Sequence, residues 1–268
     1  MILSEKIVDR FVKNLQRHFN DELRISYKKS ILEIYSDKER LKIGIFRENI
    51  FELYNLTTCI EAEDKLSGIG ISVAVDQLAR REQQMFSIIR SKLKLNTRVF
   101  ARKCEIKKIN PTYAKLFLDA HHLMAYATAA FHYGLFLNKE LIAVATFSKG
   151  RKMDRLPPDK RSFELVRFCC KDGITITGGL SKFLKHFISE KQPGDIMTYV
   201  DKQWSYGHGY LKCGFKSIGE TRKQEFLINK STLERSYFKG ETYDPRKFYL
   251  AQNGGNIKLV YSIDKAQL

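Results

Sequence analysis

The chain has 268 residues and a formal net charge of +17, and 43% of its residues are hydrophobic and 12% aromatic. This composition, without any low-complexity tract, is typical of an ordered globular protein and excludes a largely disordered chain. The basic excess predicts a polyanionic partner, nucleic acid first, although solubility charge, an acidic protein or a membrane surface would also suit it.

The charge is unevenly distributed along the chain. Residues 1–100 hold 18 Lys and Arg against 14 Asp and Glu, a net +4, whereas residues 101–268 hold 29 against 16, a net +13. No apolar run is long enough to cross a bilayer, and charged Glu5 and Lys6 follow directly on the first four residues. We therefore expect a cytoplasmic protein without a membrane partner that binds a polyanion mainly through its second part.

The N-terminal residues 1–97 predict a small α/β unit. Apolar residues four apart between positions 6 and 19 indicate an amphipathic helix. Residues 31–35 and 41–46 read as strands of a hairpin around a polar turn. Residues 69–75 predict a further strand, after which Asp76 is expected to cap a helix.

We predict that residues 98–268 form a second domain. The predicted fold class of the whole chain is therefore α/β (α+β). Residues 99–107 are expected to be extended, Asn110 and Pro111 to open a helix, and residues 131–137 and 141–147 to pair as a hairpin. The charged residues 149–161 form a loop, and residues 163–170 a strand. Apolar residues then recur at helical spacing from Leu180 to Ile188, and residues 195–200 read as the next strand.

Five cysteines, an odd number without C-x-x-C spacing, predict reduced and mainly buried thiols. Cys169 and Cys170 are adjacent and should therefore lie on opposite faces of their strand. His121, His122 and His208 also lack metal-ligand spacing, so we predict no metal site.

Residues 163–215 contain, in order, a strand, a Gly178-Gly179 turn, a helix, a strand and a Tyr210-x-x-x-Gly-Phe turn. This set resembles the core of the GNAT acyltransferase superfamily. The resemblance implies acetyl-CoA or another acyl-CoA as cofactor, with its pyrophosphate held by bare amides at a helix N-terminus. The implied cofactor-binding residues are Thr177, Gly178, Gly179, Leu180, Ser181 and Lys182. Glycine is equally common in turns without a ligand.

The same resemblance implies a catalytic role for Tyr210, and the positions of Glu164, Asp201 and Ser181 in the sequence make them further catalytic candidates. Tyr210 would protonate the departing thiolate, or it is a packed core tyrosine. Glu164 would orient or deprotonate the attacking nitrogen, or pair with a lysine; it lies three positions from Arg167, so the two should face opposite sides of the strand. Asp201 ends a strand and serves either chemistry or capping. Ser181 would bind phosphate or substrate, or is simply favourable in a first turn.

A narrower resemblance rests on His121-His122, the hairpin 134–147, Glu164 to Arg167, residues 178–184, 199–201 and 207–210. The order of these motifs is similar to that in Mom-type phage DNA-modification enzymes. It looks closer still to that in the C-terminal domain of phage Vsr-like homing-endonuclease-like proteins, with residues 101–104 as the joint between the two domains.

The second resemblance implies that residues 1–97 are a Vsr-like nuclease part, which needs carboxylates on neighbouring strands to hold a metal. Glu33 offers one, but Phe46 stands where the second is expected, and only Glu48 or Glu52 would compensate. We expect a degenerate, DNA-positioning remnant.

Two segments are candidates for nucleic-acid binding. One combines cations with aromatic rings that can stack on an extruded base, the alternative being a loop anchored by one buried aromatic. The other is the basic loop 149–161, which suits phosphate contacts or is simply a solvated loop. The candidate residues are Lys202, Trp204, Tyr206 and His208 in the first segment and Lys149, Arg151, Lys152 and Arg155 in the second.

These patterns together predict a nucleic-acid-directed GNAT-like transferase that acylates an amino group on a base, with DNA favoured over RNA. If the chain is phage-encoded, its location is the host cytoplasm. The alternative is a DNA-binding homing-endonuclease-like protein whose GNAT-like domain only recognises DNA. The donor, the modified base and the oligomeric state stay open.

Overall fold

The computed structural model describes residues 3–19, 23–28, 31–37, 39–46 and 69–263. The chain divides into two compact units. The first comprises residues 1–95, 201–205 and 221–256, and the second residues 96–200, 206–220 and 257–268. The chain first passes from one unit to the other between residues 95 and 96, close to the predicted boundary between residues 97 and 98. The two later segments that belong to the first unit were not predicted.

The first unit begins with helix α1 (Leu3–His18), whose residues Phe11 and Leu15 are buried. Four strands follow in the order of the chain and of the sheet: β1 (Arg24–Lys28), β2 (Ile31–Tyr35), β3 (Arg40–Phe46) and β4 (Ile69–Ala74). The β2–β3 hairpin is confirmed, and β3 pairs with β4 in parallel. Strand β1, which pairs with β2 antiparallel, was missed because three of the five residues in its sequence, RISYK, are polar.

The prediction that Asp76 caps a helix is wrong. Helix α2 (Val75–Arg80) has Ala74 as its N-cap, two residues before Asp76, and α3 (Glu82–Lys92) follows after a break at Arg81. The side chain of Gln77 accepts the backbone N–H of Ala74 at 3.1 Å and so serves the helix start. Both carboxylate oxygens of Asp76 instead accept hydrogen bonds from Arg235, each at 2.8 Å. A partner 159 residues away gives no local signal in the sequence.

The second unit carries most of the remaining elements. In chain order they are β5 (Thr97–Phe100), a 3₁₀ turn (Ala101–Lys103), β6 (Glu105–Lys108), α4 (Pro111–His121), β7 (Phe131–Leu137), β8 (Glu140–Phe147), β9 (Ser162–Cys170), β10 (Ile174–Thr177), α5 (Gly179–Lys191), β11 (Asp195–Asp201), α6 (His208–Lys212) and β12 (Lys216–Glu220). The predicted extended stretch 99–107 is thus broken by the 3₁₀ turn. The start of α4 is confirmed, because the side chain of Asn110 accepts the N–H of Tyr113 at 2.7 Å.

Residues 221–256 leave the second unit between two neighbouring strands of its sheet. They contain β13 (Glu225–Asn229), β14 (Arg235–Tyr237) and β15 (Phe248–Gln252), which form an antiparallel sheet in the order β14-β13-β15 within the first unit. Strand β16 (Asn256–Ser262) then returns beside β12. No helix in the described part of the chain is long and apolar enough to span a membrane.

A mixed sheet of seven strands, in the order β12-β16-β11-β9-β8-β7-β6, organises the second unit. One face packs against α5 through an aromatic core in which the rings of Phe147 and Phe187 stack with centroids 3.9 Å apart. The other face packs against α4, where Val144 meets Leu118. Because successive strand residues point to opposite faces, the central strands β7, β8 and β9 contribute to both cores.

Two neighbouring parallel strands of this sheet separate towards their carboxyl ends. Strands β9 and β11 pair only from Ser162 opposite Asp195 to Glu164 opposite Met197. Beyond that point the ladder stops, although the hydroxyl of Thr198 still donates to the carbonyl of Leu165 at 2.9 Å. Helix α5 connects the two strands. A gap at the carboxyl ends of parallel strands is a common ligand position in α/β sheets.

Candidate functional site

The glycine turn predicted as a phosphate site begins helix α5. Gly178 has φ +78°, a left-handed conformation that glycine adopts without strain. The first bond within the helix joins the N–H of Lys182 to the carbonyl of Gly178 at 3.0 Å. The amides of Gly179, Leu180 and Ser181 therefore precede the helix's own hydrogen-bond ladder. The turn has the local form expected of an anion-binding site, with Thr177 and Gly178 exposed and Leu180 buried in the core.

The ammonium of Lys182 does not stand free at this turn. It donates to the carbonyl of Ala101 at 3.0 Å and to the carbonyl of Cys104, and so holds the 3₁₀ turn in place. Two exposed cations that were not among the predicted site residues, Arg102 and Lys103, lie in that 3₁₀ turn. Strand β5 brings them close, because its Phe100 pairs with Thr177, the last residue of β10. The only sequence signal was the Ala-Arg-Lys-Cys segment, which we read as a domain joint.

Tyr210 and Ser181 approach a common partner. The hydroxyl oxygen of Ser181 lies 3.3 Å from the sulfur of Cys213, which follows helix α6, and Tyr210 lies within α6. The ring of Tyr210 packs edge-on against Phe215, with centroids 5.6 Å apart. Burial raises the pKa of Tyr210 to about 12, so the phenol stays protonated at neutral pH. A half-buried, protonated tyrosine suits both the core role and the proton-donor role.

The prediction that Glu164 and Arg167 face opposite sides of β9 is wrong. Thr146 pairs with Arg167 but Phe147 pairs with Leu165, so β9 carries one extra residue, Val166. Such a bulge reverses the alternation beyond it. Leu165 and Phe168 consequently contact the same core, and Glu164 and Arg167 share the α4 face.

The carboxylate of Glu164 is half-buried and has no hydrogen-bond or ion-pair partner among the side chains that the structure describes. The alternative of an ion pair with a lysine is therefore not observed within those ranges. Arg167, in contrast, is engaged: its Nε donates to the carbonyl of Ala125 at 3.0 Å and its Nη1 to the carbonyl of Val166. Glu164 is thus the more available of the two groups.

Asp201 belongs to the first unit and caps a turn there. Its Oδ1 accepts the N–H of Gln203 at 2.9 Å, and its carbonyl accepts the N–H groups of Trp204 and Ser205. Burial raises the pKa of Asp201, while the charge of Arg235 opposes that change. The capping alternative is the one formed, and the catalytic role stays a prediction.

The aromatic loop predicted to stack on a base crosses the division between the units. Lys202 and Trp204 belong to the first unit, and Tyr206 and His208 to the second. Trp204 is half-buried, and its indole N–H is buried without a partner among the described residues, which fits an anchoring aromatic. Tyr206 and His208 are exposed, with ring centroids 6.5 Å apart. Nucleic-acid binding by these four residues stays a prediction.

Arg155 of the basic loop is a structural anchor. Its guanidinium donates to the buried Asp195 carboxylate at 2.6 and 3.0 Å and to the hydroxyl of Ser162 at 3.3 Å. The other three candidates, Lys149, Arg151 and Lys152, are exposed. The second unit as a whole holds 22 Lys and Arg against 11 Asp and Glu, a net +11 of the +17. Most of the positive excess therefore lies in the unit with the glycine turn.

The carboxylate expected of a nuclease is part of an ion-pair cluster. Glu33 accepts hydrogen bonds from Tyr35 and, at 2.8 Å, from Arg40, which lower its pKa. Glu48 and Glu52 lie outside the described residues. Within the described ranges no three His, Cys, Asp or Glu side chains are grouped to hold a metal ion. The absence of nuclease activity stays a prediction.

The remaining histidine and cysteine predictions concern local packing. His121 packs on the ring of Phe117 with centroids 4.6 Å apart, and the ring of His122 accepts the N–H of Met124. Cys170 contacts the α5-side core and Cys169 the α4-side core, which confirms that they face opposite sides. The four cysteines in the described ranges are free; Cys104 is fully buried and the other three are half-buried. Cys59 lies outside the described residues.

Comparison with known proteins gives structural neighbours only. No protein-family model and no curated protein matches the sequence. Among solved structures, a Bacillus subtilis acetyltransferase in complex with CoA is 14% identical with a TM-score of 0.39, covering 60% of this chain and 100% of its own. An Elizabethkingia anophelis GNAT-family acetyltransferase with acetyl-CoA bound is 16% identical with a TM-score of 0.36, over 60% and 99%. Arabidopsis thaliana Naa50, with a bisubstrate analogue, is 12% identical with a TM-score of 0.40, over 60% and 99%.

Proposed function

We propose that the second unit is an acyltransferase that uses an acyl-CoA donor and modifies an amino group of nucleic acid. The observation that carries the proposal is the combination of two separating parallel strands with a glycine turn between them. Strands β9 and β11 stop pairing after Glu164 and Met197, and the connecting helix begins at the bare amides after Gly178. Such a helix start favours an anion both through its N–H groups and through the helix dipole.

The residues at the turn fit a pyrophosphate. A Cβ built at Gly178 meets only Ala101, at 3.7 Å, so the approach to the amides is open. Arg102 and Lys103 supply positive charge beside it, and Ser181 adds a hydroxyl in the first turn of the helix. An acyl-CoA held there would provide an activated thioester. Lys182 contributes by fixing the 3₁₀ turn rather than by touching phosphate.

Glu164 and Tyr210 each carry out one of the two proton transfers of the reaction. The acceptor nitrogen attacks the acyl carbon, and the carbon–sulfur bond breaks. Glu164, which is half-buried and unpaired within the described residues, takes the proton from that nitrogen. Tyr210, whose raised pKa keeps it protonated, gives its proton to the departing sulfur.

The nucleic-acid part of the proposal rests on charge and on the narrower resemblance to Mom-type and Vsr-like phage proteins. The second unit carries a net +11, and its exposed Lys149, Arg151 and Lys152 suit phosphate contacts. The same surface supports a second candidate, a DNA-binding module without catalysis, because phosphate contacts need none of the groups at the glycine turn.

A carboxylate introduced at the glycine turn should weaken CoA binding. Gly179 is unsuitable for this test, because a Cβ there would lie 3.0 Å from Ile176. Thr177→Glu places the charge at the exposed end of β10 instead. We expect about 10- to 100-fold weaker CoA binding by calorimetry, the range for like charges a few ångströms apart at a protein surface. Thr175→Glu, two residues earlier on the same strand, is the matched control. Equal affinities for the two variants would place the cofactor elsewhere.

Binding to nucleic acid should fall steeply with salt, and neutralising the basic loop should flatten that dependence. Replacing Lys149, Arg151 and Lys152 by alanine is expected to reduce the salt slope by roughly 2 to 3, about 0.9 per phosphate contact on duplex DNA. The control removes the same charge from exposed Lys230, Lys239 and Lys247 of the first unit. Equal slopes would remove the loop from the interface.

Mass spectrometry of nucleosides from the DNA and RNA of cells expressing the protein distinguishes a transferase from a protein that only binds nucleic acid. A new acylated nucleoside that is absent with Thr177→Glu supports the transferase. Unmodified nucleosides, together with salt-dependent binding, support the binding module.

A further inference from the structure

A row of three polar side chains crosses the α4 face of the seven-stranded sheet beside its apolar core. His132 on β7 pairs with Thr146 on β8, which in turn pairs with Arg167 on β9. His132 is 6% exposed and Thr146 is fully buried. Their neighbours on this face include Val144 and Cys169, which belong to the apolar core. Polar groups in such a position need hydrogen-bond partners.

The hydroxyl of Thr146 has no partner among the described residues. The contrast is Thr198 in the same sheet, which is also buried but donates to the carbonyl of Leu165 at 2.9 Å. A threonine hydroxyl is both donor and acceptor, and leaving it unpaired in a core is unfavourable. An isosteric valine would avoid that cost. The unpaired hydroxyl thus points to a partner that arrives from outside the chain.

Residues 123–130 are tied directly to two members of the row. The carbonyl of Ala125 accepts from Arg167, and the hydroxyl of Tyr126 lies 3.1 Å from Nε2 of His132. Tyr126 also packs on the apolar core of this face, and its N–H donates to Asp119. Ala125 has φ +52°, a left-handed conformation that is unfavourable for alanine. A strained, half-exposed segment that is hydrogen-bonded to the buried His132 and the half-buried Arg167 suits a cover that opens.

We propose that His132, Thr146 and Arg167 form a hydrogen-bonding site for the polar head group of the acyl acceptor, closed in this structure by residues 123–130. The proposal rests on the proposed function and specifies its acceptor. The row offers hydroxyl, imidazole and guanidinium groups and contains no carboxylate. It therefore suits a neutral amine beside a hydrogen-bond acceptor, as on the exocyclic amino edge of a nucleobase, better than a charged alkylammonium.

Two neighbouring observations agree with a neutral acceptor. Burial lowers the pKa of His132, so its ring is uncharged at neutral pH and offers one donor and one acceptor. Glu164 lies on the same face of β9 as Arg167, so a carboxylate to take the proton stands beside the row rather than within it.

The test compares small acceptors by saturation-transfer NMR on the full chain. Cytidine and adenosine carry an exocyclic amine, uridine does not, and a lysine-containing dipeptide represents alkylammonium. We expect cytidine or adenosine to bind more tightly than uridine and the dipeptide. Thr146→Val should weaken that binding about five- to tenfold, the value of one hydrogen bond. The same variant should melt at a higher temperature than the wild type, because it removes an unpaired buried hydroxyl.

Thr198→Val is the matched control, because it removes a hydroxyl that is already paired. It should melt at a lower temperature and bind nucleosides as the wild type does. Nucleoside binding that is absent, that does not discriminate against uridine or the dipeptide, or that is unchanged in Thr146→Val overturns the proposal. CoA titration of the same samples reports separately on the proposed function, so failure of the acceptor site and failure of the transferase are distinguishable.

Discussion

Replacing Tyr210 by phenylalanine is expected to lower kcat for acyl transfer by about 100-fold or more, the range for loss of a general acid. Tyr210 lies near the thiol of Cys213, which is 3.3 Å from the hydroxyl of Ser181 in the first turn of α5, and burial raises the pKa of Tyr210 to about 12. Phenylalanine keeps the edge-on contact with Phe215 but removes the proton. CoA affinity should stay within about twofold, because the ring fills the same space.

The pH dependence of kcat follows from the raised pKa of Tyr210. A phenol that titrates at about 12 is fully protonated through neutral and mildly alkaline pH, so the acid function should persist to pH 10. Tyr133→Phe is the control: its buried hydroxyl donates to Glu190 at 3.1 Å on the same face, so the variant should lose stability and keep kcat. A Tyr210→Phe enzyme with undiminished kcat would assign Tyr210 to the core alone.

Replacing Arg235 by alanine should destabilise the first unit by roughly 3 to 5 kcal/mol, the usual cost of leaving a buried charge without its partner. The Asp76 side chain is only 4% exposed, and both its oxygens depend on Arg235. Urea unfolding followed by fluorescence measures the loss.

Two further variants show whether burial of the Asp76–Arg235 pair causes the loss of stability. Arg246→Ala removes the ion pair of Asp244 with an arginine side chain that is 90% exposed, and should change stability by less than about 1 kcal/mol. The double variant Asp76→Leu with Arg235→Met should recover most of the loss, because it leaves no buried charge. A small effect of Arg235→Ala, similar to that of Arg246→Ala, would show that water reaches Asp76.

Features that depend on neighbouring residues could be predicted from the sequence. The β2–β3 and β7–β8 hairpins and the Asn110 cap of α4 follow from local alternation and turn chemistry, and all three are present. The glycine turn before α5 is local in the same sense. Its backbone form was therefore predictable, whereas its ligand was not.

Features that depend on distant residues could not be predicted. The bulge at Val166 is a property of two strands together, and it reversed the expected orientation of Arg167. The ion pair of Arg155 could not be predicted, because its partner Asp195 lies 40 residues away in the sequence. The row His132, Thr146 and Arg167 requires the register of three strands, so single-sequence periodicity gives no sign of it.

The discontinuity of the first unit affects the order in which the protein can fold during synthesis. Its N-terminal segment ends at residue 95, but its last sheet closes with β15 and its final residue is 256. A ribosome adding about 5 to 20 residues per second needs roughly 10 to 30 s to make the intervening segment. Throughout that interval Asp76 has no Arg235. The nascent N-terminal segment is therefore an incomplete unit, open to chaperones, while the glycine turn and α5 are already being made.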